Sequence, residues 1–316
     1  MTPPALRAQT RLPLIGAPMF LVSGPDLVAA QCGAGIIGTF PSLNARPQEQ
    51  LHEWISRIED RLARARKEDP GAVIAPYGVN LVVHPSNARW QGDLDICVER
   101  RVPLLITSLH PPEAVVRAVH AYGGQVYHDV TNVRHARRAL DAGVDGLILV
   151  AAGAGGHAGQ LNPIALVNEI RAFYDGPLAL SGCISHGKDI LAAQAMGCDF
   201  AYMGTRFIAT RESLANDAYR EMILRAQAAD ITCTPYFSGV PANYLAQSIR
   251  AAGLDPARLP GDAPPPNLDK HTRPRAWKDI WSAGQGVGAT QELLPVAELV
   301  GLLEAEYRQA RQALLG

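Results

Sequence analysis

The chain has 316 residues, 47% hydrophobic and 19% charged, with 29 Lys+Arg against 30 Asp+Glu and a formal charge of -1. That length admits one large α/β domain or two smaller ones, and the apolar content excludes a disordered chain. Charge this balanced, with no basic stripe, lacks the clustered Lys and Arg that phosphate backbones demand, so no nucleic-acid partner is expected.

The first 14 residues hold no apolar core of signal-peptide length, and no run of about 18 apolar residues occurs, so no membrane partner is expected. Cys32, Cys97, Cys183, Cys198 and Cys233 are odd in number and form no CxxC, which fits a reducing, cytoplasmic setting.

Along the chain, apolar runs at 12–17, 36–38, 77–81, 104–108, 125–130, 146–150, 177–181 and 200–204 read as strands. None alternates polar and apolar residues, which suits parallel strands covered on both faces. Helical segments at 46–67, 113–122, 133–142, 164–173 and 188–196 lie between them, with Gly33, Gly143 and Gly197 suited to left-handed caps at helix ends. The charged stretch 57–67 reads as the wet face of its helix. Eight strands separated by helices point to an α/β fold, a closed (β/α)8 TIM barrel rather than an open doubly wound sheet.

From residue 234 to about 284 the rhythm breaks at Pro235, Pro241, Pro256, Pro260 and the triplet Pro264-Pro265-Pro266. Residues 234–284 are therefore expected to form an inserted, partly helical lid, with 1–233 and 285–316 forming the barrel. An amphipathic helix over 293–315 closes the outer ring. Tyr236, Phe237, Tyr244, Trp277 and Trp281 concentrate aromatic rings in the insertion, as a pocket wall or as a small satellite core.

Gly33-Ala34-Gly35-Ile36-Ile37-Gly38 matches GxGxxG, but it follows a helix and enters a strand. A dinucleotide site needs the reverse order, so the match carries no function.

In a (β/α)8 barrel the chemistry belongs at the carboxyl ends of the strands. Those ends read Ala17-Pro18-Met19, Asn80, Thr107-Ser108, His128-Asp129, Gly153 to Gly159, Ser181-Gly182 and Gly204-Thr205. Gly182 and Gly204 permit close backbone approach and Thr205 adds a hydroxyl, as a phosphate cradle requires. Gly153, Gly155, Gly156 and Gly159 leave open space around His157, whose imidazole can take a proton or attract an anion. His110 and His186 share the rim and read as solvated loop histidines. The paired short-range spacing of a zinc motif is absent, so no metal is expected.

Ala17-Pro18-Met19, Ala154-Gly155-Gly156-His157-Ala158-Gly159, Ser181-Gly182-Cys183-Ile184, Met203-Gly204-Thr205-Arg206-Phe207 and Trp281-Ser282-Ala283-Gly284-Gln285-Gly286 together resemble the nitronate monooxygenases, formerly 2-nitropropane dioxygenases. The AGGHxG element is also shared by flavin-dependent enoyl reductases and some NAD(P)H:quinone reductases. The resemblance implies an FMN-binding barrel that oxidises alkyl nitronates, or nitroalkanes, with O2 to carbonyl compounds and nitrite. It implies that Ala17, Pro18 and Met19 contact the flavin ring and that Asn80 fixes its polar edge. Ser181, Gly182, Met203, Gly204 and Thr205 would line the phosphate loops, Gln285 and Gly286 would close over the cofactor, and His157 would be catalytic. His128 is expected either at the cofactor or in a buried hydrogen-bonded pair with Asp129. Two departures stand out: Gly153 where many relatives carry Glu, and Cys183 where a second Gly often follows Gly182. An FMN-dependent reductase and a non-redox phosphate-binding barrel are the alternative functions.

Overall fold

The expected apolar runs become strands buried along most of their length in the computed structural model of the protein, which describes residues 5–259 and 275–315. In chain order the strands are β1 (Leu14–Gly16), β2 (Gly38–Pro41), β3 (Tyr77–Val83), β4 (Leu104–Leu109), β5 (Gln125–Val130), β6 (Gly146–Val150), β7 (Gly156–His157), β8 (Leu178–Ser181), β9 (Phe200–Met203), β10 (Ile231–Thr234) and β11 (Ala242–Leu245). Eight of them form one parallel sheet in the order β1-β9-β8-β6-β5-β4-β3-β2. A parallel bridge between Ile15 and Ile37 brings its two edges together, with Gly16 N–H donating to Ile37 O at 2.8 Å and Ile37 N–H to Leu14 O at 3.1 Å. The fold is a (β/α)8 barrel.

The helices are α1 (Pro25–Gly33), α2 (Gln50–Glu68), α3 (Trp90–Glu99), α4 (Glu113–His120), α5 (Val133–Asp141), α6 (Pro163–Arg171), α7 (Gly187–Ala195), α8 (Thr205–Ile208), α9 (Asp217–Arg225), α10 (Ala246–Ala251) and α11 (Val296–Leu315). Asn132, Asn162 and Asn216 cap α5, α6 and α9 by accepting from His135, Ile164 and Tyr219 N–H groups, satisfying donors a helix start leaves free. The last helix packs on α7 and α1 and completes the outer ring. Arg57 and Arg61 on the wet face of α2 pair with Asp26.

Successive strand residues point to opposite faces. Ile15, Ile37, Leu104, Ile106, Tyr127, Ile148, Ala179, Phe200 and Tyr202 point inward and fill the barrel. Their neighbours, including Leu14, Val79, Leu105, Val126, Leu149, Leu180 and Met203, point outward against the helices.

Two local expectations are corrected. The second strand starts at Gly38 rather than Ile36, because Ile36 and Ile37 are buried at the closing bridge while the ladder to β3 begins at Gly38. Gly33 stays inside α1, and the left-handed turn falls two residues later at Gly35 (φ 85°), whereas Gly143 (φ 85°) and Gly197 (φ 100°) take the expected conformation. Between Pro241 and Pro256 the regular elements are short, the four-residue β11 and the six-residue α10, with prolines at both ends outside any ladder or helix interior. Pro260 and Pro264-Pro265-Pro266 lie outside the described residues. The GxGxxG match does run from helix into strand, as its dismissal required.

Strands β10, β11 and β7 form a second, antiparallel sheet, with Ala242 opposite His157 and Asn243 opposite Gly156. The loop after β6 is thereby held by a segment remote in sequence. No described helix is long and apolar enough to cross a membrane.

Phe200 is fully buried at the barrel centre. Phe200→Ala is expected to lower stability by about 3–5 kcal/mol in denaturant unfolding, with an unchanged far-ultraviolet circular dichroism spectrum before the transition.

Candidate active site

The carboxyl ends of β6, β8 and β9 meet around a small cleft. Six of its lining residues are glycine: Gly153, Gly155, Gly182, Gly204, Gly284 and Gly286. Two show why glycine is needed. Gly182 has φ 130°, and a Cβ there would stand 2.8 Å from Ala152 O. A Cβ on Gly286 would stand 2.1 Å from Ser185 Oγ. The walls are backbone, so the cleft presents peptide dipoles to whatever enters it.

The loops are stitched together by hydrogen bonds. Gly284 N–H donates to Thr205 Oγ1 at 2.9 Å, Gln285 N–H to Gly153 O at 2.9 Å, and Ser185 Oγ to Gly286 O at 2.9 Å. Thr205 still has its own proton to donate. Behind the cleft the buried Arg206 donates from Nη1 to Ser185 O at 3.1 Å, and burial holds its pKa below the usual guanidinium value. A cation placed there favours an anion in front of it. Sequence reading passed over Arg206 because its neighbours alone do not reveal that it turns inward beneath the loop.

Across the mouth, Ala17 N–H donates to Met203 O at 2.8 Å, and Asn44 holds the following turn by donating to Met19 O and Ser23 O. A Cβ on Gly204 would meet Ala17 Cβ and Met19 Sδ at 3.4 Å, so these residues form one continuous surface beside the cleft. Pro18 is half-buried between them. Asn80 and Ser181 point inward at the mouth. Met203 contributes only backbone, since its side chain faces the helices. Gln285 is exposed, with Oε1 in the region of Gly153.

His128 is placed away from this surface. Its ring is buried on the outward face of β5, with Nδ1 2.8 Å from Thr107 Oγ1, and burial pushes its pKa down to about 4. The neighbouring Asp129 is the residue that turns inward, and it bonds to Ser108 rather than to His128. His128 is thus buried and hydrogen-bonded, as one of the two expectations had it, but with Thr107 rather than Asp129 as its partner, because consecutive strand residues face opposite sides.

His157 stands apart from the cleft on β7. Its ring lies edge-on to Trp277 with centroids 5.0 Å apart, and Trp277 also meets Phe20 and Tyr244. Nε2 is 3.1 Å from Ser238 Oγ, while Ser238 donates to Val240 O at 2.9 Å. With the serine proton committed, Nε2 carries the imidazole hydrogen and Nδ1 keeps its lone pair. Desolvation lowers the His157 pKa, so the ring is neutral near pH 7. His110 packs edge-on to His84, and His186 starts α7 with Nδ1 3.3 Å from Glu306. No group of three metal-binding side chains occurs among the described residues.

Four non-glycine residues with positive φ, Leu21, Leu109, Cys183 and Trp277, belong to this end of the barrel. Such strained backbone is held only where surrounding structure over-determines it, and it gathers at functional sites.

The two sequence departures are in contact. A Cβ at Gly153 would lie 2.3 Å from Cys183 Sγ, so the thiol occupies the space a side chain at 153 would need.

Closed parallel barrels with a glycine-lined cleft at the strand ends are a common frame for enzymes of phosphorylated ligands. The family model described as Nitronate monooxygenase matches residues 84–306, and the chain belongs to that family. It is therefore an oxidoreductase of the monooxygenase type, in a family of flavin-dependent enzymes. The chain is 27% identical to a nitronate monooxygenase of Paraburkholderia phytofirmans, over 96% of this chain and 94% of that protein. It is 26% identical to an octahydro-indene-carboxyl-CoA dehydrogenase of Rhodococcus jostii, over 74% of this chain and 62% of that protein. A solved nitroalkane oxidase from Streptomyces ansochromogenes superposes with a TM-score of 0.79, with 25% identity over 98% of this chain and 100% of that one.

Gly153→Ala is expected to cost about 1–3 kcal/mol of stability, from overpacking against Cys183 and from its positive φ. Adding Cys183→Ala should return part of that loss and leave the φ strain. Thermal unfolding of the two single variants and the double variant measures the coupling.

Proposed function

We propose that the protein is an FMN-dependent nitronate monooxygenase, oxidising alkyl nitronates, and nitroalkanes that lose their α-proton, with O2 to carbonyl compounds and nitrite. The observation that carries the reading is the glycine-lined cleft at the ends of β6, β8 and β9, with Arg206 behind it. Backbone dipoles, one free hydroxyl and a buried cation fit a phosphate, and a Cβ at Gly182 or Gly286 would intrude on this packing.

In this reading Gly182, Gly204 and Thr205 hold the phosphate, and Ser181 and the Met203 backbone shape its loops. Ala17, Pro18, Met19 and Asn80 meet the ring, while Gln285 and Gly286 close the cleft. The chemistry FMN supplies when bound is oxidation of the nitronate and the coupling of that oxidation to O2. Neutral His157 accepts the α-proton of a nitroalkane at Nδ1, and the resulting imidazolium holds the nitronate anion by charge. Trp277, backed by Phe20 and Tyr244, walls one side of the otherwise exposed ring. Residues 234–284 act as a lid on the barrel formed by 1–233 and 285–316, and β11 ties that lid to His157. The free cysteines fit a cytoplasmic enzyme.

The purified protein should show a flavin absorbance spectrum that bleaches anaerobically with a nitronate and not with NAD(P)H. Bleaching by NAD(P)H alone would move the assignment to a flavin reductase acting on a quinone or an enoyl thioester, and a colourless protein that takes up no FMN would remove both.

His157→Ala should keep FMN and lose about 10²–10⁴-fold in nitroalkane turnover. Because burial lowers the His157 pKa, the basic form persists to lower pH than for a free imidazole. The acid limb of kcat/KM for neutral nitroalkanes should therefore turn below pH 6.5 and be absent in the variant. Near-normal turnover of the variant would end the catalytic role. Thr205→Ala should weaken FMN retention instead.

A further inference from the structure

The uppermost inward layer of the barrel on the side of β3, β4 and β5 is polar. Asn80 Nδ2 donates to Ser108 Oγ at 3.0 Å and to Ile106 O at 3.2 Å, and Ser108 Oγ donates to Asp129 Oδ2 at 2.6 Å. Both amide hydrogens and the single hydroxyl hydrogen are thereby committed, so the chain of bonds has one direction and ends on the carboxyl. Asp129 Oδ1 is shielded from water and has no partner among the described residues. A buried polar atom left open this way is destabilising unless a ligand completes it.

The phosphate cleft lies over β6, β8 and β9, and this polar row lies on the other strands of the same mouth. A molecule with its phosphate in the cleft and its ring across the mouth brings the ring to Asp129. The polar edge of a flavin ring is mostly acceptors, carbonyl oxygens and ring nitrogens, with a single N–H. Asn80 and Ser108 have no donor left for it.

Resting on the flavin reading above, we propose that Asp129 binds the ring as a neutral carboxylic acid, donating the Oδ1 proton to an acceptor on the ring's polar edge. The absence of a cation favours this state, since no ion pair to Asp129 occurs among the described residues and burial already raises its pKa to about 6. The other titratable groups packed about it are Tyr202 from β9, held well above the usual phenol value by burial, and outward-facing His128 on its own strand, held near 4. Both are uncharged between about pH 6 and pH 8, so Asp129 is the group that titrates there.

The sign of the linkage follows. If the ring binds the protonated form, the complex holds a proton that the free protein loses above pH 6, and affinity must fall as pH rises. Lumiflavin, the ring without ribityl phosphate, isolates this effect from ionisation of the FMN phosphate. Fluorescence titration of the full chain should show the lumiflavin Kd rising with pH above about 6, by up to about tenfold per unit. Asp129→Asn keeps a donor and has no proton to lose, so its Kd should be flat over the same range, and Asp129→Ala should bind weakly throughout. A flat Kd for the unaltered chain, or an unchanged slope in Asp129→Asn, overturns the role of Asp129 while FMN binding stands. Failure of the unaltered chain to bind either FMN or lumiflavin at any pH overturns the flavin reading and this inference together.

Discussion

Closing eight parallel strands on themselves leaves each strand-end side chain two directions, into the mouth or into the helix layer. The site depends on that constraint. On β5 it turns His128 outward to Thr107 and Asp129 inward to Ser108. On β9 it turns Met203 to the helices and Tyr202 to the barrel interior. The Ile15–Ile37 bridge joins the first strand to the second and brings the Ala17–Met19 turn into the same mouth as Asn80. An open sheet of the same strands would spread these residues along an edge.

The second constraint is space. The loops after β6, β8 and β9 approach one another so closely that backbone meets backbone, and side chains at Gly182 or Gly286 would collide with their neighbours. The reward is a cleft walled by peptide groups with a buried guanidinium behind it, a field suited to an anion. Cys183 fits because Gly153 yields its space, so two departures from the family pattern are one exchange of volume. That exchange also leaves no carboxylate at position 153.

His157 is governed by a different part of the molecule. Its strand, β7, has only two residues and pairs with β11, so the orientation of the imidazole depends on residues 242–245, on Ser238 and on Trp277. The cleft is framed by the barrel loops and the histidine by the small antiparallel sheet, and Asn243 of β11 joins the two by donating from Nδ2 to Ala154 O at 2.6 Å.

Much of this was legible in the residues. Apolar runs of strand length, helical stretches between them and glycines close after the helix ends determined a parallel α/β barrel, because burial on both faces and the glycine turn are properties of short stretches. The glycines at 153–159, 182 and 204 marked the loops for the same local reason. Which of His128 and Asp129 faces the mouth was not legible, since a strand covered on both faces shows no polar alternation from which to read its direction. Nor were the contact of Gly153 with Cys183, the inward turn of Arg206 or the pairing of His157 with Ala242. Each of these joins residues remote in the chain, and only closure of the barrel and docking of the second sheet bring them within a few ångströms.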